Sequence, residues 1–324
     1  MLVSSYNLDN ILHISNSIGD GPASPFWLDG WLKWNEEMWN LKSERVLYTS
    51  AGKDFPRMEG VLYTDKNGNV RMPPRNPYLP FLFSTSGTDK PDRVYRQYLD
   101  IMDVFTADLL KRGIRGKIAL PPGFIDARPF QWKGMDVGLH YTFLQTLPYD
   151  LSLSDSSIKN KINKAKKMGY SIKQSNDWVA VLHSLKETEE AKSFSHHTDY
   201  SAIFRCSELL GSNSFLGYVG YDSTGEPVAG GLRLLMSSGV VIDWSQGAVR
   251  EHLNNGIIQL MYNYVLDDAY NRGGKLFDWT GANTPPVALA KSAWGSVLTP
   301  YLVIRSKDYR YTARTVVNFF LKRK

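Results

Sequence analysis

The feature that most constrains the fold is an order of elements that the chain runs through twice. In the first half, extended runs are predicted at 45–51 and 60–64, and the turn Asp65-Lys66-Asn67-Gly68-Asn69 then begins a hairpin. A proline-rich stretch at 73–80 leads to a long helix over 92–112, with Tyr95, Tyr98, Met102, Phe105 and Leu109 on its apolar stripe. Gly113 closes that helix after Arg112, and Lys117-Ile118-Ala119-Leu120 runs as a strand into Pro121-Pro122. The second half repeats the order. A strand at 215–221, the turn Asp222-Ser223-Thr224-Gly225-Glu226 and strands at 227–236 and 240–245 precede a helix over 255–272. Its stripe is Ile257, Met261, Tyr264 and Val265, and it ends in Arg272-Gly273. Lys275-Leu276-Phe277-Asp278 then leads into a loop that holds Pro285-Pro286. Such an ordered set implies a duplicated α/β unit. Strands that alternate with amphipathic helices bury their faces best as a sheet flanked by helices. The expected boundaries are 1–150, 151–305 and a basic tail at 306–324.

Size and composition agree. A chain of 324 residues has room for two domains, and with 43% hydrophobic and 22% charged residues it reads as folded and globular. The one cysteine, Cys206, excludes an intrachain disulfide and any cysteine-rich zinc site, which fits a reducing compartment. Residues 1–16 show no basic region followed by an apolar run, and no stretch of about 18 apolar residues occurs. A cytoplasmic protein without a membrane span is expected. A net charge of +6 favours phosphate-bearing partners without selecting one.

Three stretches together carry a resemblance. The first is Pro25-Phe26-Trp27-Leu28-Asp29-Gly30-Trp31, where Trp27, Trp31 and Trp34 recur near helical spacing. The second is a helix that starts at Ser156 or Ser157 and runs to Met168. Its apolar face is Ile158, Ile162 and Ala165, its lysines are Lys159, Lys161, Lys164, Lys166 and Lys167, and Gly169-Tyr170 follows. The third runs from Ala229-Gly230-Gly231 through Asn255-Gly256-Ile257-Ile258-Gln259 and Phe277-Asp278-Trp279-Thr280-Gly281-Ala282-Asn283 to Lys291-Ser292-Ala293-Trp294-Gly295. The order resembles that of tandem GNAT transferases of the FemABX type, over most of residues 20–305. The resemblance implies two GNAT-like units, each a mixed, mostly antiparallel sheet flanked by helices. It implies an N-acyl or aminoacyl transferase that moves an acyl group from acyl-CoA or aminoacyl-tRNA to an amine. The acceptor would be a sugar nucleotide, a polysaccharide or a cell-envelope precursor, either a small molecule or lipid-linked. No tightly bound cofactor and no metal are expected. A non-catalytic glycan- or nucleotide-binding relative, or a tRNA-binding protein, stands as the alternative.

Acyl transfer needs an aligned pair of substrates, a deprotonated amine and a stabilised oxyanion. Asp243 and Asp278 lie in strands among apolar residues and are the candidate carboxylates; the competing reading is that each caps a nearby turn. Lys291 follows the 279–290 loop, and the resemblance implies that a lysine there lies close to the reaction centre. Asn255, Gly256 and Gln259 mark a helix start that suits an anionic donor group. The loop departs from the usual phosphate-binding pattern, keeping one glycine and losing the basic or amide first position. Trp244, Trp279 and Trp294 are candidates for stacking on an acceptor or for core packing, and Asn283 for hydrogen bonding to it. Arg75 and Tyr78, in the proline-rich loop, are candidate acceptor contacts. His196-His197 lacks a matching carboxylate or thiol cluster, which argues against a metal. The lysine helix reads either as a solvated face or as a tRNA-tracking surface. The tail packs as a last helix or makes a peripheral contact with anionic lipid.

Overall fold

The computed structural model describes residues 24–50, 56–192 and 199–307. The tail from 308 onward and His196-His197 lie outside the described residues. Contacts divide the chain into two compact units that are not contiguous in sequence: residues 24–34 with Tyr141–Thr299, and Asn35–His140 with 300–307. The chain passes between units near residues 34, 140 and 299, whereas the sequence suggested single divisions at 150 and 305. The reason is that long elements do not stop at the boundary. Helix α1 (Asp29–Trp39), strand β5 (Asp136–Thr146) and strand β11 (Val297–Arg305) each continue from one unit into the other.

In the smaller unit, β1 (Lys42–Thr49), β2 (Arg57–Thr64) and β3 (Phe81–Ser84) form an antiparallel sheet in that order. Helix α2 (Pro91–Arg112) begins on a proline and ends at Gly113, whose φ of 75° only glycine adopts cheaply. Its Ile101, Met102, Phe105 and Leu109 are buried. The short β4 (Ile118–Ala119) pairs antiparallel with the end of β11, and α3 (Arg128–Trp132) follows β4. The hairpin expected after Asp65–Asn69 is reduced to one bridge. The turn closes through Gly68 N–H to the Asp65 carbonyl, but only Val70 returns, pairing with Thr64 and in parallel with Ile114. Pro73 and Pro74 follow at once and have no N–H for a ladder.

In the larger unit, the sheet order is β5, β10 (Leu276–Asp278), β9 (Val240–Ala248), β8 (Pro227–Leu235), β7 (Phe215–Tyr221) and β6 (Ser171–Gln174). β10 and β9 are parallel, and the other neighbouring pairs are antiparallel. The expected class, mixed α/β with mostly antiparallel sheets, is the one observed, and the two units are unequal. The remaining helices are α4 (Ser156–Lys167), α5 (Trp178–Lys192), α6 (Tyr200–Leu210), α7 (Ile257–Asn271) and α8 (Pro285–Ser292). Asp155, one residue earlier than expected, caps α4 by accepting from the Ser157 N–H. The buried faces of α4 (Ile158, Ile162, Ala165) and α7 (Ile257, Leu260, Met261, Val265) share one core with Leu216, Tyr218 and Phe277 of the sheet.

Two adjacent glycines on β8 show how the sheet is covered on both faces. A Cβ on Gly230 would lie 2.1 Å from the Val181 carbonyl oxygen of α5. A Cβ on Gly231, which points the other way, would meet Gln246 Oε1, Arg233 Nη1 and Met261 Sδ of α7. Helix α5 therefore rests directly on the β8 backbone, and the space on the opposite face is kept for a guanidinium. Trp31 and Trp34 are fully buried and meet Trp244 edge-on, at 5.4 and 5.5 Å between ring centres. Trp27 belongs instead to a preceding turn, and Phe26 takes its place against Trp31.

Gly256 opens α7 in the left-handed region, with φ of 85°, and its Cβ direction is closed by the Lys161 carbonyl oxygen at 2.2 Å. Gly273 has a similar φ of 90° but open space around it. Gly273→Ala is expected to lose only backbone strain, about 1–2 kcal/mol. Gly256→Ala should lose that plus about 1–3 kcal/mol from crowding. Urea denaturation of the two variants checks this; equal losses would mean that the contact between Gly256 and α4 is not tight.

Candidate functional site

The site begins with a break in register between β8 and β9. Gly231 stands opposite Gln246, Leu232 opposite Ser245, and Arg233 opposite Asp243, so the register steps past Trp244. This is a β-bulge, one extra residue on one strand. Side chains alternate along a strand, so Asp243 and Gln246, three residues apart, would otherwise point to opposite faces. The extra residue puts both on the face of Arg233 and turns Trp244 toward Trp31 and Trp34.

Arg233 is wholly buried. Its Nη1 donates to the carbonyls of Leu232 and Ser245, each at 2.8 Å. Its Nη2 donates to Gln246 Oε1 and forms an ion pair with Asp243 Oδ1 at 3.0 Å. The Tyr262 ring of α7 lies against the guanidinium at 5.4 Å, and the Tyr262 hydroxyl donates to Asp243 Oδ2 at 2.9 Å. Gln246 in turn directs its Nε2 at Met261 Sδ. Five groups therefore converge on two neighbouring strands and one helix.

The second part of the site follows β10. Asp278 is buried beside β9 and accepts from Thr142 Oγ1 at 2.5 Å and from the Thr280 N–H at 2.9 Å. Thr280 takes a positive φ of 46°, and its hydroxyl donates to the Asp243 carbonyl at 2.6 Å. The turn therefore presents the carbonyls of Trp279 and Thr280 in one direction. Lys291 Nζ, from the last turn of α8, donates to both of them and lies 3.8 Å from Asp243 Oδ2. Its side chain keeps 15% of its surface exposed, so it is the charged group of the cluster that reaches the surface.

The electrostatics follow from burial. Two cations, Arg233 and Lys291, balance two carboxylates, Asp243 and Asp278. Burial lowers the proton affinity of Lys291 below that of an ordinary lysine; Asp243 and Asp278 oppose that shift, and Arg233 adds to it. Burial and the Asp243 charge push the Tyr262 hydroxyl well up, so it stays a donor. Two of the three Lys291 N–H bonds go to carbonyls, and the distance to Asp243 exceeds a hydrogen bond. The third N–H has no hydrogen-bond partner among the described residues.

Asp243, Asp278 and Lys291 are thus brought together. The other candidates stand apart from them or are engaged elsewhere. Trp279 and Trp294 are buried and pack on one another at 5.3 Å, and Trp279 packs on Tyr262 at 4.7 Å, so both sit in the core. Trp244 is buried on the opposite face of β9. The wholly buried Trp279 indole N–H has no hydrogen-bond partner among the described residues. Asn283 pairs with both backbone groups of Tyr141, midway along β5. Asn255 donates to the Tyr170 hydroxyl, which shares a hydrogen bond with His252 Nδ1. Gly256 packs on α4, and Oε1 of half-buried Gln259 has no hydrogen-bond partner among the described residues. Arg75 and Tyr78 belong to the smaller unit, where the Tyr78 ring packs edge-on against Tyr301.

Arg233, Tyr262, Gln246, Thr142 and Thr280 were not picked out from sequence. Arg233 left a signal: it is the one charge in the Val228–Leu235 run, and a charge in a buried strand requires a partner. Among the described residues no three metal-ligating side chains gather, and no helix is long and apolar enough to cross a membrane.

No family model matches the chain, and no curated protein matches it. Solved structures do. FemX superposes with a TM-score of 0.61 at 11% identity, over 93% of this chain and 96% of that one. L-PGS from Bacillus licheniformis gives a TM-score of 0.52 at 11% identity, over 100% of this chain and 99% of that one. At such identities the likeness is one of fold: the chain has the GNAT-like, FemABX-type fold that the order of its motifs suggested.

Proposed function

We propose that this chain is an N-acyl or aminoacyl transferase, with Lys291 as its oxyanion-binding group. The observation that carries this reading is the buried Arg233–Asp243–Lys291 cluster in a FemX-like fold. A fold that needed only stability would fill this space with apolar side chains, because burying charges carries a large desolvation cost. Perturbed, partly accessible charges of this kind mark functional sites.

In the reaction, an amine nitrogen of the acceptor attacks the carbonyl carbon of a thioester or an aminoacyl ester. A C–N bond forms, the carbonyl oxygen becomes an oxyanion, and the C–S or C–O bond then breaks. The proton that the amine loses ends on the leaving group. The free Lys291 N–H stabilises the oxyanion, and the Trp279 and Thr280 carbonyls hold the ammonium in place beforehand, so little reorganisation is needed. Asp278 secures the turn that presents those carbonyls. The donor is acyl-CoA or aminoacyl-tRNA, and the exposed lysines of α4 suit a polyanionic one. The acceptor is an amine of a sugar nucleotide or of a cell-envelope precursor.

Melting temperature tests the reading without assuming a substrate. CoA esters, aminoacyl-tRNA and amino-sugar nucleotides are added in turn. A ligand at about a hundred times its Kd stabilises the fold by about 2.7 kcal/mol. At least one donor and one acceptor of these classes are expected to raise the melting temperature. A flat response across the whole panel contradicts the reading.

A further inference from the structure

We propose that Arg233 is the positioning residue of this site: through the β8–β9 bulge it fixes the Asp243 carboxylate between its own guanidinium and the Lys291 ammonium, and so sets how Lys291 meets its ligand. This rests on the transferase reading only for what Lys291 acts upon.

The geometry has three parts. First, the bulge serves a purpose that regular pairing cannot, since it alone brings Asp243 and Gln246 to the same guanidinium. Second, both terminal nitrogens of Arg233 are engaged, Nη1 by two carbonyls and Nη2 by Gln246 and Asp243, and the Tyr262 ring lies against the guanidinium. Gly231 leaves room for its Nη1. Third, Arg233 does not contact the accessible end of the site. It holds one carboxylate oxygen, Oδ1, and leaves Oδ2 to Tyr262 and Lys291. Without Arg233, Asp243 would be free to turn its full charge on Lys291.

The charged groups that act on Lys291 are Asp243 from β9, Asp278 from β10 and Arg233 from β8; Tyr262 from α7 reaches Asp243, and α8 has no other titratable residue. Arg233 and Asp243 act on Lys291 with opposite signs, and a merely structural pin gives no such pattern. Loss of Arg233 removes a like charge and should favour the protonated amine. Loss of the Asp243 charge should disfavour it.

The experiment is competitive labelling of the folded protein with trace acetic anhydride across pH, reading acetylation of Lys291 by peptide mass spectrometry. The thermal melt of each variant is recorded beside it. Arg233→Met is expected to raise the pH midpoint of Lys291 labelling, and Asp243→Asn to lower it. Each shift should be about one unit, roughly tenfold in reactivity at a fixed pH on the rising limb. Arg233→Lys keeps the charge and loses the fork, so its midpoint should stay near that of the wild type. If Arg233→Met does not fold, Arg233→Gln, which is neutral but polar, is read in its place and is expected to raise the midpoint as well. Shifts of Arg233→Met and Asp243→Asn in the same direction, no shift in either, or a lowered midpoint in Arg233→Lys overturns the assignment. Labelling needs no substrate, so failure here is distinct from failure of the transferase reading, which would show as absent transfer with Lys291 titrating as described.

Discussion

Asp243→Ala is expected to lower the stability of the larger unit by about 3–5 kcal/mol, more than any surface substitution in the chain. The variant leaves Arg233 and Lys291 in the interior without the anion between them, and the Tyr262 hydroxyl loses its acceptor. The deficit should depend on pH in a fixed direction. Burial already holds the Lys291 proton affinity below the usual lysine value, and without Asp243 it falls further. Between that lowered value and the unfolded value of about 10.4, the unfolded chain binds more protons, so stability rises with pH. Urea titrations from neutral pH to about pH 10 should show the gap to wild type narrowing. A gap that widens, or a loss below about 1 kcal/mol, would mean that the three charges do not act as one cluster.

Lys291→Met is expected to reduce transfer about 10²–10³-fold, the usual effect of removing one oxyanion donor. Methionine keeps the length and apolar stem of lysine, so packing around Trp279 and Thr280 should change little. The two carbonyls lose a charged donor, so the melting temperature of the variant should fall as well and is recorded beside the kinetics. The loss of transfer should appear in kcat with KM nearly unchanged, because the oxyanion exists only in the transition state. A variant with raised KM and normal kcat would make Lys291 a ground-state binding residue instead.

Much of the fold was legible because its punctuation is chemical. The strand ending at Tyr221, its Asp222–Glu226 turn and the next strand were placed within a residue, since Asx and Gly turn signals are sharp. Helices α2 and α4 were placed nearly as well, by a stripe and a terminal glycine. The misses have physical causes. The 279–290 segment read as a loop, yet Pro285-Pro286 starts α8, where the missing N–H is harmless and the fixed φ suits a first turn. β9 read as ending at 245 but runs to Ala248, because the bulge at Trp244 disturbs the alternation. The same bulge hid half of the site. Asp243, Asp278 and Lys291 stand out by position. Strict alternation, however, puts Asp243 and Gln246 on opposite faces, so no pattern in the sequence joins them to Arg233. Tyr262 was hidden for a similar reason: it lies one residue off the stripe read for α7, on a helix buried over more of its circumference than one stripe.

Formation of an amide product is the most direct test of transferase activity in this chain. Labelled acyl groups would be offered from aminoacyl-tRNA and from acyl-CoA, across a panel of amino-sugar nucleotides and lipid-linked precursors, with product detected by mass spectrometry. A new C–N bond is expected on at least one acceptor with the wild-type protein, with its near-complete loss in Lys291→Met. No product from any pair with well-folded protein, or equal product from the variant, would contradict it.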